Sequence, residues 1–107
     1  MARLDRRLEL DARLRRILGS DHLYFEPPAS KKMTYPCIRY SRSRIDTRHA
    51  DNKVYLGRQR YEIVAIYYDV DSDLADKILY NEEDLTFTHD RHYVADGLHH
   101  DVFTTTF

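Results

Sequence analysis

The sequence predicts an α+β fold: a small mixed or antiparallel sheet with an N-terminal helix and a second short helix, in the order α-β-β-β-α-β-β. Three observations predict it. Apolar residues at helical spacing fill the first eighteen positions and stop at Gly19. Two runs rich in β-branched and aromatic residues, 37–42 and 60–68, follow. Near the C-terminus an Asp96-Gly97 pair separates two alternating segments. At 107 residues the chain has the length of one domain, read here as residues 1–107, and size scaling lets it bury about two-thirds of its unfolded surface.

In the first helix Leu4, Leu8, Leu14, Ile17 and Leu18, with Ala12 beside them, follow helical spacing, and arginines and carboxylates fill the other face. Gly19 fits a left-handed cap, and Arg13, Arg15 and Arg16 complement the negative end of the helix dipole. A role as a basic membrane-surface helix is disfavoured, because Asp5, Glu9 and Asp11 would be repelled by anionic lipid.

Residues 22–25 read as a short strand closed by Pro27-Pro28, which can neither donate ladder bonds nor continue a helix. A loop through Lys31 and Lys32 leads to residues 37–42, where alternation places Ile38 and Tyr40 on one face. Residues 60–68 are apolar on both faces for most of their length, the pattern of a central strand. The segment between them, from Ser43 to Gln59, is too long for a tight turn and is read as a long, mobile or functional loop. Asp69, Asp71 and Asp73 supply N-cap residues for a short helix whose apolar face is Leu74, Ala75, Ile78 and Leu79. In the last third, Leu85, Phe87 and His89 alternate with Thr86, Thr88 and Asp90. A hairpin then turns at Asp96-Gly97 into residues 102–107.

Composition excludes several function classes. A net charge of -1 is not that of a strongly basic nucleic-acid binder. Cys37, the only cysteine, leaves no intramolecular disulfide framework and no multi-cysteine zinc site, and fits a reduced, intracellularly made protein. No apolar stretch approaches the roughly 20 residues that span a bilayer. The N-terminal arginines are interrupted by acids with no apolar core behind them, so the start reads as a mature N-terminus. The charge is nevertheless divided: residues 1–60 hold fifteen Lys/Arg against seven Asp/Glu, and residues 61–107 hold two against eleven.

The candidate chemical constellations resolve toward structure. His89, His92, His99 and His100 with Asp90, Asp96 and Asp101 crowd the C-terminal hairpin, but their spacing matches no metal motif and His99 and His100 point to opposite faces of a strand. They read as surface histidines. Asp69, Asp71 and Asp73 begin like a calcium loop, yet the chain runs straight into an apolar helix, and capping explains them better. Cys37 has no histidine at a recognisable partner position and reads as a small buried residue. Nine tyrosines fit either base-stacking platforms or sheet packing and interfaces. Three glycines cannot build a phosphate loop. The expectation is a non-enzyme with no catalytic residue, no metal and no cofactor. Arg39, Arg42, Arg44 and Arg48 around the long segment form a candidate patch, open between a solvated face, a protein contact and a nucleic-acid contact.

Several segments, in order along nearly the whole chain, resemble one family. They are Ile17-Leu18-Gly19, Leu23-Tyr24-Phe25-Glu26-Pro27-Pro28, residues 33–40, Ile45-Asp46-Thr47, Ala50-Asp51-Asn52-Lys53-Val54-Tyr55, the 61–68 strand with Asp69-Val70-Asp71-Ser72-Asp73, and residues 93–103. Together they look like the small tail-terminator or tail-completion proteins of long-tailed bacteriophages. The resemblance implies a virion protein of the tail and neck, made in the host bacterial cytoplasm. Its partners would be further copies of itself in a six-membered ring, the tail tube protein beneath and a head-completion or connector protein above. DNA would pass through the lumen without sequence-specific binding, and no membrane is involved.

The family supplies no catalytic residues. Charge and segment length place the interface at Arg39, Arg42, Arg44, Arg48, Asp51, Asn52 and Tyr55, facing an acidic region at Glu82, Glu83 and Asp84. The alternatives are another head-to-tail connector, of the head-closure or adaptor kind, a small nucleic-acid-binding module, and, third, a small enzyme.

Overall fold

The computed structural model describes residues 3–107. Along the chain come α1 (Arg3–Leu18), β1 (Leu23–Phe25), β2 (Cys37–Ala50), β3 (Lys53–Tyr67), α2 (Leu74–Leu79), β4 (Thr88–Ala95) and β5 (Leu98–Thr106). This is the α-β-β-β-α-β-β order that the sequence predicts. The strands form one mixed sheet in the order β1-β2-β3-β5-β4. Only β1 runs parallel to its neighbour β2; the other three pairings are antiparallel.

Both helices lie on one face of the sheet. Leu10, Leu14 and Leu18 of α1, with Leu74 and Ile78 of α2, pack on Ile38, Tyr40, Tyr61, Ile63, Ala65, Tyr67 and Phe103. The buried stripe of α1 therefore differs from the one its spacing predicts: Leu10 is fully buried, whereas Leu4 and Leu8 are 54% and 50% exposed and Ala12 is exposed as well. The polar side of α1 is also anchored. Tyr40 donates its hydroxyl to Asp11 Oδ2 at 2.6 Å, and Asp11 also receives Arg15 at 2.8 Å, so the helix sits over β2 in one register. Burial and the bond to Asp11 push the Tyr40 phenol well above its ordinary range. Gly19 has φ +78° and its amide bonds the Arg15 carbonyl, the left-handed cap that the sequence predicts.

The other face is covered more thinly. Cys37, Val64, Ile66 and Val102 are buried there beneath Tyr24, Met33, Tyr35 and Leu98. Cys37 is the small buried residue expected, its thiol pushed up to about 12 by burial. The Asp96-Gly97 hairpin forms as predicted, with φ of +54° and +75° at its two turn residues, the primed geometry that matches strand twist.

Two sequence readings are corrected. The aspartates before α2 do not cap it: Asp73 occupies the N-cap position without a side-chain cap bond, and Ser72 Oγ receives the Leu74 amide instead. Asp69 Oδ1 holds the Asp71 amide, a local turn that leaves three exposed carboxylates on the surface.

The larger correction concerns residues 43–59, which are not a loop. They continue β2 and β3 as a hairpin closed by the two-residue turn Asp51-Asn52, with Ala50 opposite Lys53. Both turn residues have positive φ, +54° and +63°, which Asp and Asn tolerate better than other side-chain-bearing residues. The signal was hidden because neither turn residue is glycine and because bulges between Arg42 and Ile45 and between Arg48 and His49 break the alternation.

Candidate functional site

The outer half of the β2–β3 hairpin leaves the sheet. β5 pairs with β3 only from Arg60 onward, and β1 reaches β2 only as far as Tyr40. Beyond them the two strands hold only each other, forming an arm about 25 Å long at the usual rise per residue. The molecule is accordingly elongated, 51 × 26 × 24 Å, with a radius of gyration of 14.9 Å against about 13 Å for a compact chain of this length. Ile45 and Val54 stand 52% and 59% exposed on the arm. Its charge is mostly positive: Arg44 pairs with Asp46, which also receives Arg60, whereas Arg48, Lys53 and Arg58 make no ion pair among the described residues.

A cleft opens at the root of the arm, where α1 and the C-terminus meet it. Two hollows adjoin there and share Arg6, Arg58 and Phe107. The first, of about 580 Å³, is lined with Ile45, Gly57 and Tyr61 and is mainly apolar. The second, of about 740 Å³, brings in Arg13 and Arg60 and a row of threonines, so that four guanidiniums face two carboxylates, Asp84 and Asp90. Arg6 lies 4.0 Å above the Phe107 ring, which fixes the terminal phenylalanine as the wall between the hollows. Arg13 is committed to Glu9 and to the Glu83 carbonyl.

The far end of β3 is the acidic counterpart. Past Tyr67 the chain exposes Tyr68 and Val70, 65% and 70% accessible, between Asp69, Asp71 and Asp73. Ten residues of extended strand separate Gly57 from Tyr67, so the basic cleft and the acidic turn lie about 33 Å apart at opposite ends of one strand.

A third feature lies on the helix-side face of β4 and β5. Asp101 is 5% exposed and has no Lys or Arg partner among the described residues. Tyr67 donates its hydroxyl to Oδ2 at 2.5 Å, and His89 Nε2 and His92 Nδ1 each lie 2.9 Å from Oδ1. An ionised carboxylate only accepts, so both histidines carry their proton on the nitrogen that faces it. His99 stacks on Tyr67 and sets its Nδ1 3.4 Å from His92 Nε2. Burial pushes the Asp101 carboxyl up, but the bonds from Tyr67, His89 and His92 prevail and hold it below the ordinary range.

These histidines are more than solvated surface groups. The sequence signal was misleading because residues three apart on a regular strand face opposite ways. A bulge at Asp90, between the pairs His89–Phe103 and Arg91–Val102, turns His89 and His92 to the same side. His100 stacks instead on Tyr93, on the other face, as alternation requires. The cluster ties β4, which is exposed along its whole length, to β3 across β5. Asp101 lines neither hollow at the arm root, and among the described residues no group of three or more His, Cys, Asp or Glu is arranged to hold a metal ion.

The residues singled out for an interface do not form one patch. Arg39 lies half-buried on the thin face beside Glu62 and Val64. Arg42 points to the helix side, its guanidinium 5.3 Å from the centre of the Phe25 ring and its Nε buried without a partner. Arg44, Arg48, Asp51 and Asn52 belong to the exposed arm. The side chain of Tyr55 lies outside the described residues. Glu83 is engaged by Arg16 at 2.7 Å, while Glu82 and Asp84 remain exposed. Asn81, which the sequence did not single out, organises that acidic segment: its side chain donates to the Ile78 and Leu85 carbonyls and accepts from the Glu83 amide.

Comparison with known families, characterised proteins and solved structures finds no match for this chain. No helix among the described residues is long and apolar enough to cross a membrane.

Proposed function

We propose that this chain is a structural virion protein: a tail terminator of a long-tailed phage that forms a ring capping the tail tube and joins it to the head connector. The observation that carries the assembly part of this reading is the arm. A two-stranded ribbon is marginally stable alone in water, yet here it projects beyond the sheet with exposed Ile45 and Val54 and unpaired outer edges. Such an element is completed by a partner surface. A closed ring needs two different faces per subunit, and the basic arm root and the acidic end of β3 supply them. The resemblance along the chain directs the assembly to the phage tail.

The test is mass and copy number. Native mass spectrometry of purified tails should find this chain at about six copies per tail, the ring size that the resemblance implies for a closed cyclic assembly. One copy, or none, overturns the reading. A ring located on the head side of the joint, with none on the tail tube, would make it the head-closure or adaptor protein instead.

A further inference from the structure

Building on the ring reading, we infer that the cleft at the arm root is a receptor for the acidic turn at residues 69–73 of a second copy of this chain. The cleft has two compartments with different chemistry, and its occupant must match both. The apolar hollow beside Ile45, Tyr61 and Phe107 calls for an apolar side chain, and the adjoining guanidiniums call for anionic groups on either side of it.

The turn Asp69-Val70-Asp71-Ser72-Asp73 presents that combination: Val70 is 70% exposed, with a carboxylate immediately before and after it. Among the described residues Arg58 and Arg6 make no ion pair, and Arg6 lies over the Phe107 ring, so both can receive a carboxylate without breaking an ion pair described there. A nucleic-acid backbone fits less well: it has no apolar side chain to place in the first hollow, whereas the turn has the exposed Val70.

Receptor and plug lie at opposite ends of β3. Each copy can therefore give its turn to one neighbour and receive the turn of another, a head-to-tail contact that propagates and closes when the rotation between copies allows. The arm takes part because Ile45 and Arg58 are arm residues: the neighbour's turn would brace the root of the ribbon that its own chain leaves unsupported.

Cross-linking between full-length chains tests this. Cys37 is fully buried, so new surface cysteines react alone. One chain carries Thr86→Cys at the cleft, another Asp73→Cys at the end of the turn, which keeps both carboxylates beside Val70, and they are mixed with a short bis-maleimide. A covalent heterodimer is expected from the mixture and none from either chain alone. Adding Arg58→Glu to the Thr86→Cys chain should lower its yield by about fivefold or more, the size expected for reversing one partly exposed ion contact.

No heterodimer up to the solubility limit, a yield indifferent to Arg58→Glu, or homodimers of the Thr86→Cys chain would each overturn the assignment. So would a short DNA duplex that binds the cleft stoichiometrically and abolishes the cross-link. Closed rings seen by electron microscopy without this cross-link would leave the ring standing and remove the contact. Cross-linked open chains would keep the contact and remove the ring.

Discussion

The two halves of β3 are the same strand under two regimes. Residues 61–66 pair on both sides, Tyr67 pairs with β5, and all are buried except Glu62, which is half-buried. Residues 53–59 pair on one side only, and Lys53, Val54, Gly57 and Arg58 among them are exposed. The inner half is held by burial; the outer half is held by its ladder and by the Asp51-Asn52 turn. Extended structure here thus comes from two sources, and only the buried one can make the monomer stable. The arm follows from the second source, and its exposure is what makes it available to a neighbour.

The two halves should differ most when the same kind of atoms is removed from each. Ile63 is a β3 residue fully buried in the core on the helix side of the sheet, so Ile63→Ala should lower unfolding free energy by about 2–5 kcal/mol. Val54 is 59% exposed, and Val54→Ala should stay within about 0.5 kcal/mol. Urea unfolding of the two variants measures both. Equal losses would mean that the arm is packed in solution and that the division between the halves is false.

Next in size is the carboxylate that ties β4 to the sheet. Asp101→Asn replaces an oxygen that accepts with a nitrogen that donates, setting it against the hydroxyl or imidazole protons already pointing inward. The expected cost is about 1–3 kcal/mol. The folded-state pKa of Asp101 lies below its unfolded value. Its contribution is therefore present above about pH 4, the ordinary carboxylate range, and is lost as pH falls through the lower folded value. The stability gap between wild type and Asp101→Asn should narrow below about pH 4. A gap that stays constant down to acid unfolding would show that the charge contributes nothing.

Hydrogen exchange sharpens the comparison along the strand itself. Amides of residues 53–59 that bond across the arm should exchange at least about tenfold faster than those of residues 61–67, because opening the ribbon exposes little apolar surface. Assembly should slow the first set and leave the second unchanged. Arm protection that is the same in the free and assembled protein would remove the arm from the interface.

What the sequence made legible follows the same division. Where burial drives structure, its pattern is written in residue type. The 60–68 run gave a central strand, and Gly19 and Asp96-Gly97 gave their turns. Where local geometry drives structure, the pattern failed. Two bulges and a glycine-free turn concealed the arm, and the Asp90 bulge concealed the convergence of His89 and His92 on Asp101. Charge misled in its own way. Arg39 and Arg42 are three residues apart and were grouped, but they occupy opposite faces of the sheet. In α1, Leu4 and Leu8 fit a helical period as well as Leu10 does, and only the position of the sheet decides which are covered.

The smallest expected effect concerns Arg44. Asp46 is shared, receiving Arg44 at 3.0 Å and Arg60 at 2.9 Å, and Arg44 itself is 70% exposed. Arg44→Glu leaves the Arg60 pair in place and sets a like charge beside Asp46 at an exposed, solvent-screened site, so it should lower monomer stability by no more than about 1 kcal/mol. If the arm meets residues 82–84 of a neighbour, a contact that would replace the one with residues 69–73, the same reversal should slow assembly at low salt, and the difference should fade as salt screens it.

The partner charge must then be sought among acids that are not already committed. Glu83 belongs to Arg16, so reversing it would disturb its own chain. Glu82 and Asp84 make no ion pair among the described residues. Glu82→Lys with Asp84→Lys, added to Arg44→Glu, should therefore restore part of the assembly rate, while Glu83→Lys should not. Rescue by Glu83→Lys alone would mean that the Arg16 pair opens on assembly and that the neighbour's arm replaces it.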